Sequence, residues 1–492
     1  MTYLDKLIPI IHKNWDKQAL VEYSPSKVVE CRSYTFAQMY LQVGRVRGLI
    51  NKLGIASGDH VAFCGTNSAH WMIAYLSVAS LRAVSVCLMH SQTPGTLASQ
   101  IKFADSKLLF VDNEIWACLK TQDLYDNLIV VSLDDWSILR GMTTGLADDD
   151  GDLWTIPSVD ENAPAQLCFT SSTSGVPKCV VASWKNLTCN MVCVAAHYAA
   201  KNNRVMLSVF PLGHTLAIMG EFLVPMYQAC TIYIIRETVT PVTLLDTYLT
   251  LKPFEIVLVP MLVERFLSDK YIDKFRQVLD FVEIGVVCGA KLKKEIEDIL
   301  LSMGFPLTIP YGLTECSPIV SISCPSRHKP YAAGQVCENM QVSFGKNDEI
   351  LIKGDHLMLG YYKNDKETNA KLDADGWFHT GDSGYIDAEN NLFIRGRIDK
   401  DIFVLSSGEN VSPIMIESII DKISGVSESV VVLRNDKLIA KIYSTSQVTD
   451  KSALLSMINH SLPMHSQIYD IEFLREPLIR TEKQTIKRYL YN

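Results

Sequence analysis

A run of small hydroxyl residues that leads to a lysine is the stretch of this sequence with the clearest chemistry. Residues 169–180 read FTSSTSGVPKCV, in which Gly175 and Lys178 follow five consecutive hydroxyl residues. Those five are Thr170, Ser171, Ser172, Thr173 and Ser174. Their hydroxyl and backbone N–H groups are donors without steric bulk, Gly175 can adopt a positive φ, and Lys178 adds a positive charge. This composition predicts a phosphate-binding loop, although a Ser/Thr-rich surface turn has the same composition. The G-x-x-x-x-G-K-[ST] spacing of nucleotide hydrolases is absent from it.

The elements around this loop have the pattern of a parallel α/β fold. The apolar residues Ala165, Leu167, Cys168 and Phe169 predict a buried strand, so the loop is the turn that leaves this strand. Upstream, the apolar runs Val61–Gly65 and Val84–Leu88 predict two buried strands with a helix between them, and a second helix is predicted over Thr96–Ala104. Strands and helices that alternate at this length are typical of a parallel sheet covered by helices. Because a chain of 492 residues is too long to fold around one ordinary hydrophobic core, we expect two or more domains.

Composition limits the partners and the compartment. A net charge of −8 without a basic stripe argues against a nucleic-acid partner. Thirteen cysteines without C-x-x-C pairs predict free thiols in a reducing compartment, and therefore a cytoplasmic location. The N-terminal residues carry charges within their apolar part, which is unlike a signal peptide. Glu221, Pro225 and Gln228 interrupt the most apolar run, Thr215–Ile235, so we expect no membrane span and interpret the run as buried helix and strand.

Four motifs in a fixed order resemble those of the adenylate-forming superfamily, which includes acyl- and aryl-CoA synthetases, adenylation domains of peptide synthetases, and luciferases. The hydroxyl loop is the first, and YGLTE at Tyr311–Glu315, HTGD at His379–Asp382 and GRIDKD…GENVSP at Gly396–Pro413 follow it. Ser172 and Cys179 stand where the loop of the family has glycine. The resemblance covers nearly the whole chain.

The resemblance implies a two-domain α/β architecture. A large multi-layer N-terminal domain of mixed and parallel sheets with helices, residues 1–398, would bind AMP and the acyl group. A small α+β C-terminal domain, residues 399–492, would act as a mobile lid. In the family, the residue at Asp399 is the hinge of this lid, and the turn at Gly408 is offered to the active site in the second half-reaction.

The resemblance also implies a nucleotide site with named roles. Glu315, a carboxylate beside the phosphate loop, is suited to hold Mg²⁺ on the ATP phosphates. Thr314 would hydrogen-bond the α-phosphate, and Tyr311 would cover the adenine ring. Asp382, predicted on a tight turn, would accept hydrogen bonds from both ribose hydroxyls, and Arg397 would contact ribose or phosphate. The other residues of the implied site are the loop Thr170–Gly175, Lys178, Gly289, Ala290 and Gly312.

His214 marks the acyl side of the implied site. It follows the predicted strand that begins at Val205, and in the family this position lies between the acyl carboxylate and the tunnel of the nucleophile. Adenylation domains for α-amino acids usually carry an aspartate in this segment, but residues 215–219 are TLAIM. An acid that is apolar near its carboxylate and has no α-ammonium group fits this segment better.

The C-terminus departs from the family pattern. The family ends with a motif like R-T-x-x-G-K-I-x-R, and here Thr485 occupies the lysine position and Gln484 the glycine position. Lys483 and Lys487 lie two residues to either side, which in an extended segment keeps them on the same face as Thr485. Three interpretations stay open: a neighbouring lysine, preferably Lys487, substitutes; adenylation is slow while acyl transfer is intact; or the chain has lost activity.

We therefore expect an ATP- and Mg²⁺-dependent enzyme that converts a carboxylic acid to acyl-AMP and then transfers the acyl group to a thiol. CoA is the default acceptor, and a carrier-protein thiol or an amino-acid amine is an alternative. A non-catalytic protein that binds nucleotide or acyl-adenylate is the alternative from another class, because of Thr485.

Overall fold

The computed structural model describes residues 1–141, 156–170, 178–197, 204–398, 402–444, 450–479, 486 and 488–491. Its α-helices are α1 (Tyr3–Lys13), α2 (Phe36–Lys52), α3 (Ala69–Ser80), α4 (Pro94–Phe103), α5 (Asn113–Leu119), α6 (Trp184–His197), α7 (Thr215–Ala217), α8 (Val224–Tyr227), α9 (Pro241–Leu251), α10 (Pro260–Phe266), α11 (Ile272–Val278), α12 (Lys294–Ser302), α13 (Asp365–Lys371), α14 (Pro413–Ile420) and α15 (Lys451–His460). A π-helical turn, Ile218–Leu223, joins α7 to α8.

The β-strands are β1 (Gln18–Ser24), β2 (Val29–Thr35), β3 (His60–Cys64), β4 (Val84–Cys87), β5 (Leu108–Val111), β6 (Ile129–Ser132), β7 (Ile138–Arg140), β8 (Pro164–Thr170), β9 (Lys178–Ser183), β10 (Val205–Ser208), β11 (Thr231–Ile235), β12 (Glu255–Leu258), β13 (Ile284–Val287), β14 (Leu307–Thr308), β15 (Tyr311–Gly312), β16 (Ile319–Ile322), β17 (Gln335–Val336), β18 (Met340–Phe344), β19 (Glu349–Gly354), β20 (Gly360–Tyr361), β21 (Phe378–Ile386), β22 (Leu392–Arg397), β23 (Phe403–Val404), β24 (Asn410–Val411), β25 (Glu428–Arg434), β26 (Lys437–Tyr443) and β27 (Asp470–Leu474).

Two large sheets carry most of the chain. The first has the order β20-β9-β8-β4-β3-β5-β6-β7, with β8, β4, β3, β5 and β6 parallel. The second has the order β14-β13-β12-β10-β11-β1-β2, and only β2 is antiparallel in it. Strands such as β4 and β5 are buried along their whole length, which explains why they are continuous apolar runs. Helix α3 is buried on every side and starts at the side-chain cap of Ser68.

The predicted phosphate loop lies between β8 and β9, which form an antiparallel pair in the first sheet. Thr170 is the last residue of β8 and is directly opposite Lys178, the first residue of β9. The two described ends of the loop are therefore held together at one edge of the sheet. Residues 171–177, which include Ser171, Ser172, Thr173, Ser174 and Gly175, lie outside the described part of the chain.

The remaining sheets are smaller and surround the same region. β15, β16 and β17 form a three-stranded antiparallel sheet, and β18, β19, β21 and β22 form a four-stranded antiparallel one. After β22, a short hairpin of β23 and β24 precedes a three-stranded sheet of β25, β26 and β27 with α14 and α15. This arrangement confirms the predicted fold class.

The C-terminal elements have core clusters of their own. One cluster combines residues from Phe403 to Ile471, and a second combines residues from Val430 to Tyr491. The predicted boundary at 398/399 stays a prediction, because the hinge candidate Asp399 lies outside the described residues. No helix in the described part is long and apolar enough to cross a membrane.

Candidate active site

One cavity of about 870 Å³ brings together every predicted site residue that the structure describes. They come from strand ends and turns of both large sheets, from the smaller sheets and from the hairpin turn between β23 and β24. The residues are Thr170, Lys178, His214, Gly289, Ala290, Tyr311, Gly312, Thr314, Glu315, Asp382, Arg397 and Gly408. Four further residues of the predicted chemistry, Asp399, Lys483, Thr485 and Lys487, lie outside the described part.

Lys178 and Glu315 belong to one connected polar cluster at the end of the cavity that the loop borders. The Lys178 Nζ is 2.6 Å from Glu367 Oε2 and lies 5.1 Å from the centre of the Tyr361 ring. The hydroxyl of Tyr361 donates to Glu315 Oε1 at 2.8 Å. Burial raises the pKa of Tyr361, and the Glu315 carboxylate adds to this effect, so Tyr361 remains a donor at neutral pH. The cluster thus places a cation and a carboxylate next to the two described ends of the loop.

The donor set near Glu315 fits Mg²⁺ bound mainly by phosphates. In the described part of the chain there is no group of three or more histidine, cysteine, aspartate or glutamate side chains arranged to hold a metal. Mg²⁺ in phosphoryl-transfer sites is usually held by one or two carboxylates together with the phosphates of the substrate. A single carboxylate, Glu315, agrees with that arrangement.

Asp382 and Arg397 meet across a hairpin. They are cross-strand partners on β21 and β22, and Arg397 Nη1 lies 3.3 Å from Asp382 Oδ1. The Tyr311 hydroxyl donates to Asp382 Oδ2 at 2.8 Å. Burial raises the pKa of the Asp382 carboxyl, while Arg397 and the Tyr311 hydroxyl oppose that rise. The three side chains therefore form one network on the wall of the cavity.

The predicted tight turn at Asp382 is wrong. Asp382 lies within the nine-residue strand β21, and its neighbour Gly381 has a left-handed φ of +75. The strand continues through this glycine: its pairing with β19 is irregular between the pairs Glu349–Ser383 and Leu351–His379, and its pairing with β22 begins at Asp382, opposite Arg397. Strand pairing, rather than a turn, fixes the direction of this carboxylate.

Two glycines form the contact between the C-terminal hairpin and the rest of the cavity wall. Gly289 follows β13 with φ +86, and Gly408 lies in the turn between β23 and β24 with φ +91. A Cβ atom added to Gly289 would lie 3.1 Å from Gly408 Cα. The backbone of Met261 also donates to the Ser406 carbonyl at 3.0 Å. The hairpin turn is therefore packed backbone to backbone against the site.

His214 lines the same cavity as the hairpin turn at Gly408. It is the N-cap of α7, and its Nδ1 accepts a hydrogen bond from the Leu216 backbone at 3.2 Å, which leaves the proton on Nε2. The surrounding protein lowers the pKa of His214, and the Glu409 carboxylate partly opposes this effect. A neutral imidazole next to a carboxylate can accept a proton from a nucleophile.

A second, small cavity of about 40 Å³ adjoins the large one, and Leu216, Pro310 and Ile319 line both. Its walls are otherwise apolar except for two buried acids, Glu221 and Glu255. Glu221 Oε2 accepts from the backbone N–H groups of Val209 and Phe210 at 2.9 and 3.0 Å. Burial raises the pKa of both carboxyls to about 8.

Sequence reasoning assigned neither acid to the site. The segment after His214 lacks a carboxylate as far as Met219, but Glu221 follows two residues later, on the π-helical turn. Glu255 begins a strand of the second sheet. A signal was present, because a charged residue inside an apolar run is rare unless it has a partner or a function. A charged residue in an apolar run does not show which cavity its side chain reaches.

The last described residues are anchored to the C-terminal domain. Arg488 forms an ion pair with Glu417 and donates to the Val431 carbonyl at 2.6 Å. Ile486 packs against a cluster that includes Val430 and Leu478. Ile486 and Arg488, which make these contacts, lie on either side of Lys487, and Ile486 directly follows Thr485.

Comparisons with known proteins place this geometry in a family. Residues 11–362 match the family model of AMP-binding enzymes. 4-coumarate–CoA ligase 3 of Arabidopsis thaliana is 27% identical over 453 residues, which cover 87% of this chain and 78% of that protein. The amide bond synthetase McbA of Marinactinospora thermotolerans superposes with a TM-score of 0.85 at 19% identity, covering 100% of this chain and 99% of that one. A mutant o-succinylbenzoate CoA synthetase of Bacillus subtilis, bound to a product analogue, gives 0.82 at 18% identity and covers 98% of this chain and 97% of that one.

Proposed function

This chain belongs to the AMP-binding enzyme family, and on that premise we propose that it is an AMP-forming ligase that joins a carboxylic acid to CoA. In the first half-reaction, a carboxylate oxygen of the acid attacks the α-phosphorus of ATP, and pyrophosphate leaves. In the second, the thiol attacks the acyl carbonyl carbon, loses its proton, and displaces AMP. The observation that carries this proposal is the meeting of all twelve described site residues in one cavity.

Catalysis of the first step rests on positioning and on neutralising charge. Lys178 would contact a phosphate oxygen, which requires it to exchange or share its ion pair with Glu367. Glu315 would hold Mg²⁺, which when bound neutralises the phosphates. Thr314 would hydrogen-bond the α-phosphate. The Glu315–Tyr361 hydrogen bond and the Lys178–Tyr361 contact hold Glu315 and Lys178 together before ATP binds, so the exchange of the Lys178 ion pair is the main rearrangement that this cluster would need.

Asp382 and Arg397 would bind the ribose side of the nucleotide. Each Asp382 oxygen already has one partner, Tyr311 or Arg397, so it is held in a fixed orientation. A carboxylate oxygen can accept a second hydrogen bond, and the two ribose hydroxyls would supply these. The hydrogen bond from the Tyr311 hydroxyl to Asp382 would keep Tyr311 near the ribose, which supports its proposed place beside the adenine.

The acceptor would enter on the side of His214 and Gly408. The neutral His214 imidazole can accept the thiol proton, and the Glu409 carboxylate stabilises the imidazolium that results. The glycine pair Gly289 and Gly408 allows the hairpin to approach closely enough to shape this entrance. An amine acceptor would need the same proton transfer, so this geometry is compatible with an amide ligase as well.

The test is pyrophosphate release from ATP with a panel of aryl and aliphatic acids, followed by mass spectrometry of the products formed with CoA, with an amine, or with neither. We expect acid-dependent pyrophosphate release and a CoA thioester. Lys178→Ala should reduce release by about 10²–10³-fold, whereas the control Lys185→Ala should not. Lys185 pairs with Asp355 at 2.8 Å and does not line the cavity.

Two results would contradict the proposal. ATP binding without pyrophosphate release from any acid would favour the non-catalytic alternative. If an amide were the only product, the acceptor would be an amine instead of CoA, and the first half-reaction would stand as proposed.

A further inference from the structure

Lys371 is a cation of the large cavity that has no partner within the described part of the chain. Among the described residues, the lysines and arginines that line this cavity are Lys178, Lys291, Lys294, Lys371, Arg395 and Arg397. The other five have a carboxylate, a backbone carbonyl or an aromatic ring as partner. Lys371 is half-buried and makes no ion pair, hydrogen bond or ring contact with a described residue. Its ammonium group is therefore available to an anion in the cavity.

Lys371 lies between the two groups that would hold the ends of the nucleotide. It follows Glu367 by four residues on α13, so both side chains are on the same face of the helix. Glu367 is the partner of Lys178, which adjoins the phosphate loop. On its other side, Lys371 Nζ is 3.7 Å from the position that a Cβ atom on Gly381 would take, and Arg397 Nη2 is 3.6 Å from the same position. Lys371 thus lies between the Lys178 cluster and the network that contains Arg397.

The space between Lys371 and Arg397 favours a negative group. Gly381 leaves this space open, because a Cβ atom there would contact both cations. Arg397 is paired with Asp382, whereas Lys371 has no carboxylate within ion-pair distance among the described residues. Burial raises the pKa of the Asp382 carboxyl, and the charges of Arg397 and Lys371 oppose that rise. An anion bound here would interact with two positive charges, one of which has no other partner.

The proposed position of the nucleotide puts its α-phosphate in this space. The ribose would bind Asp382, and the outer phosphates would lie near Lys178 and Glu315. Because the α-phosphate joins the ribose to the outer phosphates, it has to lie between these groups. A lysine ammonium is a compact charge on a flexible stem and binds phosphate as a point charge. Thr485, at the position of the lysine in the family motif, brings no such charge.

We propose that Lys371 binds a non-bridging oxygen of the α-phosphate and stabilises its negative charge in both half-reactions. This inference rests on the proposed function. In the first step, the carboxylate oxygen bonds to the α-phosphorus as the bond to the pyrophosphate oxygen breaks. In the second, the thiol gives its proton to His214, its sulfur bonds to the acyl carbon, and AMP leaves with the phosphate. Lys371 keeps its proton throughout, and its contribution is separate from that predicted for Lys487, which would act in the first step alone.

The first test measures the affinity of the full chain for adenosine, AMP and ATP by calorimetry. Lys371→Ala should weaken the binding of AMP and ATP by about 10–100-fold and leave that of adenosine within about twofold, because adenosine has no phosphate. Lys371→Arg should keep most of the AMP affinity, and Lys371→Met, which retains the stem without the charge, should lose it.

Lys366→Ala is the matched control. Lys366 is exposed on the same helix and does not line the cavity. The variant removes the same charge from α13, but outside the site. It should change each of the three affinities by less than about twofold, since exposed charges contribute little.

The second test separates a direct contact with phosphate from an effect through Glu367. When Lys178 turns to a phosphate, Glu367 loses its partner, and Lys371 on the same face of α13 is placed to replace it. In a double-mutant cycle, Lys371→Ala should weaken the binding of AMP by a similar factor in the Glu367→Gln chain and in the wild type. A loss that disappears in the Glu367→Gln chain would make Lys371 the partner of Glu367 and overturn the proposal.

Single-turnover kinetics give the readout for catalysis. Lys371→Ala should slow both acyl-AMP formation and acyl transfer by about 10–100-fold. Half-reaction rates or an AMP affinity equal to those of the wild type would overturn the inference. A loss of affinity for ATP but not for AMP would also overturn it, because Lys371 would then contact an outer phosphate. A loss of AMP affinity in Lys371→Ala, with no pyrophosphate release by the wild type from any acid, would support the inference and overturn the proposed function.

Discussion

Replacing Gly408 by alanine should impair acyl transfer and spare acyl-AMP formation. Gly408 has φ +91, and an added Cβ would lie 3.2 Å from Gly289 Cα and 3.5 Å from the Gly289 carbonyl carbon. Both neighbouring atoms belong to the backbone, so no side-chain rotation can relieve the contact. Gly289 itself has φ +86 and is held at the end of β13. The hairpin would have to move away from the cavity.

The free-energy cost of Gly408→Ala has two parts that can be measured separately. A left-handed conformation costs a residue with a Cβ about 1–2 kcal/mol wherever the hairpin lies. The close approach to Gly289 adds about 1–3 kcal/mol, the usual range for overpacking, and acts only when the hairpin is docked. A step that needs the docked hairpin should therefore slow by about 5–150-fold beyond any general effect of backbone strain.

The assay follows each half-reaction by single-turnover kinetics. Acyl-AMP formation is measured by pyrophosphate release, and transfer is measured by adding CoA to preformed acyl-AMP. The matched control is Gly304→Ala, since Gly304 has φ +74 but no atom within 4 Å of an added Cβ. Transfer by Gly408→Ala that equals transfer by Gly304→Ala, or an equal loss in both half-reactions, would refute the reasoning.

Other parts of the site give three more predictions. Asp382→Asn should weaken ATP binding by about 2–4 kcal/mol, or about 30–1,000-fold, and Tyr311→Phe by less than about tenfold; a calorimetric Kd for Asp382→Asn within threefold of the wild type would contradict this. Burial raises the pKa of Glu221 to about 8, so between about pH 5 and 8 the folded chain keeps a proton that the unfolded chain releases. Stability should fall as the pH rises through this window, and Glu221→Gln should show a smaller fall in Tm; equal falls would argue against a protonated Glu221. Lys487→Ala should slow acyl-AMP formation by about 10²–10³-fold and leave transfer unchanged, whereas Thr485→Lys should speed the first step; single-turnover rates in which Lys487→Ala leaves both steps intact would exclude compensation by that lysine.

Residues within contiguous motifs were predictable because their spacing is set locally. Tyr311, Thr314 and Glu315 lie within five residues of each other, and the structure places them on one wall of the cavity. The pairing of Asp382 with Arg397 was not predictable from either motif alone. It depends on the register of the β21–β22 hairpin, which is irregular between Ser383 and Gly384. The sequence showed glycine beside aspartate, which is the composition of a turn, and the strand pairing overrode that preference.

The proximity of Glu221 and Glu255 could not be predicted from the sequence, for a different reason. Glu255 lies near Glu221 because β12 is placed between β10 and β13, and this order is a property of the whole sheet. The order cannot be inferred from the distance along the sequence, since 33 residues, which include strand β11, lie between the two acids. Short motifs can mark the part of a site that binds the nucleotide, because backbone turns and single charges bind phosphate and ribose. Contacts between side chains of different strands depend on which strands are neighbours, so a buried carboxyl beside an apolar cavity becomes visible only when the sheet is assembled.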